Sequence, residues 1–436
     1  ALANFDGFLA GLPAGVQLFS LFEANLQLTQ LIVDIAATAP ALARYLSRNA
    51  SVFDAVIGGT FFDPWPGLSG LGTSLATGLA RVPDYEGRLD AARRWMKEWH
   101  FRIGVHHLRG LIASAEAGRQ YADLAEAMVA GLWPEVLAEF TRRYGPPPGK
   151  GAAVVAMGSL GAQRLNAGSD LDLIVIYDGA GQEASDGPRS LATRPYYARL
   201  TQALVTAITA PTAEGRLYEV DMRLRPSGRQ GPVATALDAF RSYQRDEAWT
   251  WEHLALTRAR PVAGPKELCQ EIEAFRHELL RQKSTGSGLR ADVAEMRGRI
   301  AAAKPPQGEW DAKIGPGRLQ DIELAAQTAA LLSGAPDRAV AGQIAAGVAA
   351  GLFTAADARD LTQAAGLFWG LQAAARLLTG GILVPGDLGE GGCRFVLRET
   401  GQESMTSLQA AMAGAAERAG RIVEALLEEA GESDDR

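Results

Sequence analysis

The chain has 436 residues, 47% of them hydrophobic and 21% charged, an ordinary balance for a soluble protein, and its length predicts about two to four domains. Its 43 lysines and arginines face 50 aspartates and glutamates, a net charge of -7 that argues against non-specific nucleic-acid binding, which needs clustered excess positive charge. Two cysteines, Cys269 and Cys393, offer neither a disulfide framework nor zinc-ligand spacing, so a reducing cytoplasm is the expected compartment; no uncharged run reaches the ~18 residues that span a bilayer.

No basic-then-apolar signal segment opens the chain, and Ala1 already falls in an amphipathic region, as in a piece of something longer. Residues 1–147 read as a helical region: "LFSLFEANLQLTQLIVDIA" and "ARRWMKEWHFRIGVHHLRGLIA" carry apolar residues at three-to-four spacing. "GGTFFDPWPG" between them reads as a loop. His100, His106 and His107 have no acidic partner at metal-ligand spacing, and adjacent histidines diverge on a helix, so a plain helical role is expected. "GPPPGKG" at 145–151 stops the helix, because proline lacks a donor and restricts its neighbour. Lys150 there reads as a solvated linker charge.

From 148 to 264 the period changes. "AAVVAMG" and "LDLIVIY" suit buried strands, and "GRLYEVDMRLRP" alternates as a third strand should. A helix, "YYARLTQALVTAIT", separates the last two, and another, "ALDAFRSYQRDEAWTWEHLAL", follows. Trp249 and Trp251 of "WTWEH" are expected to pack against the sheet rather than stack on a base, with His253 a satisfied polar residue. Residues 265–436 return to helices, broken at "QKSTGSG" and "AKPPQGE" and closing on a solvated acidic end, "EEAGESDDR".

The chemistry gathers in the middle segment. Side chains alternate along a strand, so Asp170 and Asp172 point the same way, ~6.5–7 Å apart at the backbone. Two like charges on one face call for a dication, and Mg²⁺ prefers carboxylate, water and phosphate oxygens. Two such ions can clamp the attacking and leaving oxygens of a phosphoryl displacement. Asp221 supplies a third carboxylate, with Glu219, Arg223 and Arg225 on its face by parity; the arginines suit triphosphate oxygens. Gly158 and Ser159 open a short helix, "LGAQRLN", whose free N–H groups suit phosphate.

The order strand, Gly-Ser, helix, Asp-x-Asp strand, helix, Asp strand resembles the nucleotidyltransferase (polymerase-β-like) fold. The expected class is therefore α+β, a small mixed sheet flanked by all-helical domains at both ends. The chain also resembles the bifunctional glutamine synthetase adenylyltransferase/adenylyl-removing family, specifically its C-terminal adenylylating part. "GRLYEVDMRLRPSG" and "YQRDEAWTWEHLALTRARPVAG" carry the likeness, joined by "LPAGVQLFSLFEAN", "EMRGRI" and "DAKIGPGRLQDIEL".

That resemblance implies transfer of AMP from ATP to a tyrosine hydroxyl of glutamine synthetase, with release of pyrophosphate. It matches Asp170 and Asp172 to the family's catalytic metal-binding pair, Asp221 to its third acidic residue and Gly158 to the glycine of its phosphate turn. The residues' own chemistry adds Ser159, Arg223 and Arg225 for the nucleotide and Asp221 for the phenolic proton. The resemblance further implies a PII-type nitrogen signal protein and glutamine as regulators, with no nucleic acid or membrane as partner. Two positions depart from the family's pattern: Ser159 replaces a lysine, and Gly317-Arg318 replaces a Gly-Gly pair. Lys313, Asp321 and Glu323 beside the latter either close over the nucleotide or cap a helix. Two other functions compete: phosphorolytic removal of AMP, which uses the same carboxylates, and a regulatory helical scaffold with vestigial catalysis, which the intact acidic triad opposes.

Overall fold

A computed structural model of the chain describes residues 61–286 and 288–428, with isolated positions between 33 and 45. The first expected helix lies largely outside the described residues, as do the "LPAGVQLFSLFEAN" stretch and the acidic end beyond Glu428. Among the described residues from 61 on, the first helices are α1 (Gly67–Ala80), α2 (Tyr85–Leu108) and α3 (Ser114–Tyr144). Asp84 starts α2 by accepting from the Gly87 N–H at 2.7 Å, the usual way a cap satisfies an orphan donor. Gly145 ends α3 with φ +83°, where a side chain would be strained.

A mixed α+β segment follows. It runs β1 (Gly151–Ala156), a single helical turn α4 (Gly158–Gly161), β2 (Leu171–Asp178), α5 (Thr193–Thr209), β3 (Val220–Asp221), β4 (Ala234–Ala236), α6 (Leu237–Asp246), α7 (Thr250–Leu256) and β5 (Arg260–Ala263). β1 pairs antiparallel with β2 and with β5. β3 and β4 both pair parallel with β2, at Leu171–Asp172 and at Val175–Tyr177 respectively. The sheet is therefore small and mixed, but it has five strands where three were read. β4 and β5 are too short for a periodic signal.

Both faces of the central strands are buried. Val154, Leu171, Leu173 and Val175 pack with α2, α3 and α5, while Val155, Ile174 and Ile176 meet Phe240, Ile272 and Phe275 on the other side. Continuous apolar runs are what such doubly covered strands require. Arg93, 0% exposed, donates to the carbonyls of Ala207, Ala210 and Gly215 at 2.9–3.0 Å. Those bonds fix the end of α5 and the turn that leads into β3.

The third strand is shorter than its alternation predicts. It leaves the ladder after Asp221, because the Arg225 guanidinium folds back onto the carbonyls of Met222, Arg229 and Gly231 and closes a turn. The helix expected over 236–256 is two helices. Glu252 reaches back to the Trp249 N–H at 3.0 Å and accepts from the Tyr243 hydroxyl, which starts a new helix at that point. Trp249 and Trp251 do not pack on the sheet: they are 71% and 38% exposed, and Glu252, His253, Leu254 and Leu256 face inward instead. His253 is satisfied, its ring nitrogen 2.9 Å from the Gln244 carbonyl. Lys150 is not merely solvated; it bridges Asp178 and Glu271 at 3.0 and 2.9 Å.

The remaining helices are α8 (Lys266–Lys283), α9 (Leu289–Ala303), α10 (Leu319–Ser333), α11 (Val340–Ala349), α12 (Ala355–Leu378), α13 (Glu390–Thr400) and α14 (Met405–Glu428). Their core includes Phe101, Val105 and Leu108 of α2, whose other stripe (Ala92, Met96, Ile103) joins the sheet core. His107 ties α2 to α13: it shares Glu399 with Ser114, at 3.0 Å from the ring and 2.6 Å from the hydroxyl. Among the described residues, no helix is long and apolar enough to cross a membrane.

Candidate active site

The three aspartates line one cleft of about 960 Å³ at the C-terminal edge of β3 and the entrance of β2, walled opposite by α10 and α12. Asp172 stands in register with Asp221 across the parallel β2–β3 pair. The Met157 N–H donates to the Asp172 carbonyl at 2.9 Å, so the turn after β1 is pinned to the same residue. Asp170 precedes the strand and is exposed.

Gly158 follows that turn with φ +52°, and a Cβ there would lie 2.3 Å from Asp172 Oδ2. The backbone thus runs against the carboxylate with no room for a side chain, which accounts for glycine on both steric and conformational grounds. Ser159 lines the cleft beside it. The helix expected over "LGAQRLN" is only the single turn α4, ended by Gln163 at φ +55°. An anion bound there would meet individual N–H groups rather than a summed dipole.

The two strand aspartates sit in different electrostatic settings. Burial, then the neighbouring Asp170 and Asp221, push the Asp172 carboxyl up to about 6, with Lys313 and Arg223 acting in the opposite sense. Asp221 differs. Arg223 donates to it from its backbone at 2.8 Å and from Nε at 2.6 Å, and holds its carboxyl below the ordinary value. Among the described residues no three histidine, cysteine or acidic side chains are already gathered as a metal cage. The donor set is nonetheless all hard oxygen, and the repulsion that raises Asp172 is only partly offset by Lys313 and Arg223; that chemistry fits Mg²⁺.

Of the residues read from sequence, Gly158 abuts the Asp172 carboxylate, and Asp170, Asp172, Asp221, Ser159 and Arg223 line the cleft. Arg225 does not: its parity with Asp221 was lost when the strand ended, and its guanidinium is committed to carbonyls of the following turn. Glu219, also at the cleft, is exposed and paired with Arg216.

Three residues whose roles the sequence left open are resolved differently. Lys313 lines the cleft. Asp321 accepts the fork of Arg297 at 2.7 and 2.8 Å, and the Gly317 N–H at 2.8 Å. Glu323 binds Arg164 at 2.8 Å and Arg258 at 3.2 Å; burial alone would raise its pKa, but these guanidiniums bring it below the ordinary value. Arg164 was missed altogether. It stacks 4.2 Å over the Trp369 ring, a long-range contact with no sequence signal.

A family model described as Glutamate-ammonia ligase adenylyltransferase matches residues 29–275. Several curated proteins named bifunctional glutamine synthetase adenylyltransferase/adenylyl-removing enzyme are similar to the chain. One from Brucella suis is 48% identical over 332 residues, which is 76% of this chain and 34% of that protein. One from Rhizobium meliloti is 43% identical over 419 residues, 94% of this chain and 42% of the relative. One from Xanthobacter autotrophicus is 39% identical, over 99% of this chain and 44% of the relative. The chain spans less than half the length of the curated relatives it matches.

Proposed function

Since the chain belongs to the glutamate-ammonia ligase adenylyltransferase family, we propose that it transfers AMP from ATP to a tyrosine hydroxyl of glutamine synthetase and releases pyrophosphate. The observation that carries this reading is the in-register pair Asp172–Asp221, with Asp170 two residues before Asp172, all lining a cleft with room for a nucleotide.

Asp170, Asp172 and Asp221 would hold Mg²⁺, two ions in our reading. Bound there, the metal supplies Lewis acidity and charge neutralisation at the phosphates. The protein's own groups do the rest. Gly158 and Ser159 offer backbone and hydroxyl donors to the triphosphate. Arg223 moves from Asp221 to a phosphate oxygen, and Asp221 Oδ2, so released, receives the phenolic proton. A tyrosine hydroxyl, with an ordinary pKa near ~10, needs that assistance at neutral pH.

The partition we propose is a nucleotidyltransferase domain over 148–264, with helical regions over 1–147 and 265–436 that dock glutamine synthetase and the regulators, a PII-type signal protein and glutamine. The compartment is the cytoplasm. Intact-mass spectrometry of glutamine synthetase after incubation with the chain and Mg-ATP tests the reaction: a gain of one AMP per modified tyrosine supports it. A chain that instead only strips AMP from modified enzyme in the presence of phosphate would make it the removing activity.

A further inference from the structure

Lys313 sits on the loop 311–318, whose backbone is fixed by groups other than its own side chain. Asp311, 3% exposed, accepts from the N–H groups of Gln307, Lys313 and Ile314 at 3.2, 3.0 and 2.9 Å. The Lys313 carbonyl accepts from the Gln320 N–H at 3.0 Å. Gly317, at φ +64°, lies so close to α14 that a Cβ would fall 1.9 Å from the Ala416 carbonyl oxygen. Its N–H is held by Asp321, itself locked by Arg297. Glu323 then ties α10 to Arg164, whose own N–H donates to the Ser159 carbonyl at 3.0 Å.

The loop is thus braced against the phosphate turn without using the lysine side chain. Among the described residues the Lys313 ammonium makes no hydrogen bond or ion pair, while Arg164, Arg258 and Arg297 are all committed to carboxylates. It lines the same cleft as Asp170, Asp172 and Asp221, and its positive charge acts on the Asp172 carboxylate. A compact ammonium on a flexible stem is a natural partner for phosphate.

We propose that Lys313 contacts the triphosphate of the bound nucleotide and neutralises the departing pyrophosphate, so that the helical region after residue 264 completes the catalytic cleft. The inference rests on the adenylyl-transfer reading above. As the phenolic oxygen bonds to the α-phosphorus, the bond from that phosphorus to its bridging oxygen breaks. The electron pair leaves on pyrophosphate, and the phenolic proton passes to Asp221. Charge builds on the leaving oxygens, where the ammonium stabilises it.

The test is Lys313→Met in the full chain, which keeps the aliphatic stem, with Lys313→Arg as the charge-retaining variant. Calorimetry with Mg-ATP alone, steady-state AMP transfer to glutamine synthetase and thermal melting are read together. Lys313→Met should keep the wild-type melting temperature, bind Mg-ATP at least ~10-fold more weakly and lose at least ~100-fold in kcat/KM for ATP. Its KM for glutamine synthetase should be unchanged, and Lys313→Arg should recover part of the loss. A folded Lys313→Met with wild-type ATP affinity and transfer rate overturns the proposal. Wild-type protein that transfers no AMP would count against the reaction instead, and the calorimetry would still decide the lysine contact.

Discussion

Asp172 and Asp221 are directly opposed partners in the parallel pairing of β2 with β3, yet only Asp221 has an arginine of its own. Asp172 is left in a half-buried, like-charged setting that pushes its carboxyl from the ordinary 3.8 up to about 6. A raised carboxyl pKa costs stability wherever the group is ionised: nothing below about pH 4, more as pH climbs, and the full amount above about pH 6. Asp172→Asn should therefore stabilise the metal-free protein at pH 7 by on the order of 1 to 2 kcal/mol, while abolishing AMP transfer. Melting curves at pH 4 and pH 7 check this; a gain that is equal at both, or a loss at pH 7, contradicts it.

Asp221→Asn keeps the shape of the side chain and removes its charge and its capacity to take a proton. AMP transfer should fall by at least ~100-fold, with a smaller change in ATP affinity because Asp170, Asp172 and the Gly158-Ser159 turn are untouched. Glu219→Gln, whose carboxylate is exposed and paired with Arg216, is the matched control and should retain most activity. If the control is dead and folded Asp221→Asn is active, the wrong carboxylate has been assigned.

Gly158→Ala should damage the site with little effect elsewhere. The new methyl would press on Asp172 Oδ2 in a backbone conformation that alanine resists, a strain of about 1–3 kcal/mol. We expect at least a ~10-fold loss of Mg-ATP affinity by calorimetry in a protein that still melts cooperatively. Unchanged affinity would mean that the phosphates bind away from this turn.

Outside the cleft lining, Glu399 is held down to a pKa of about 2 although burial would raise it, because His107, Ser114 and Arg398 all bond to it. A depressed carboxyl pKa stabilises the fold above its unfolded value, near 4.5, and that contribution is lost as pH falls toward 2. Glu399→Gln should lower stability at pH 7 by about 3 kcal/mol, with the gap to wild type closing progressively below pH 4.5. Denaturant titrations at pH 7 and pH 3 measure both; a gap that widens in acid would reverse the sign.

The strands that carry the acidic residues were legible because doubly covered strands must be continuously apolar, which made Asp170 and Asp172 conspicuous at the mouth of β2. Asp221 was legible by alternation, and Arg225 was not, because alternation holds only while the ladder lasts. The break at Trp249 depends on Glu252 capping backward, a local competition that helical periodicity hides. Lys313 and Glu323 stood out only through the family resemblance, with two roles open, and Arg164 not at all: they meet the cleft from distant segments, and no spacing along the chain encodes that meeting.

The most direct test of the account uses ATP labelled at the α-phosphorus in one reaction and at the γ-phosphorus in another, each with Mg²⁺, glutamine synthetase and this chain. The account predicts label on a glutamine synthetase tyrosine from α-labelled ATP alone, γ-label recovered entirely in pyrophosphate, and neither transfer with Asp172→Asn. Transfer of γ-label to the target, or α-label incorporation that survives Asp172→Asn, would contradict it.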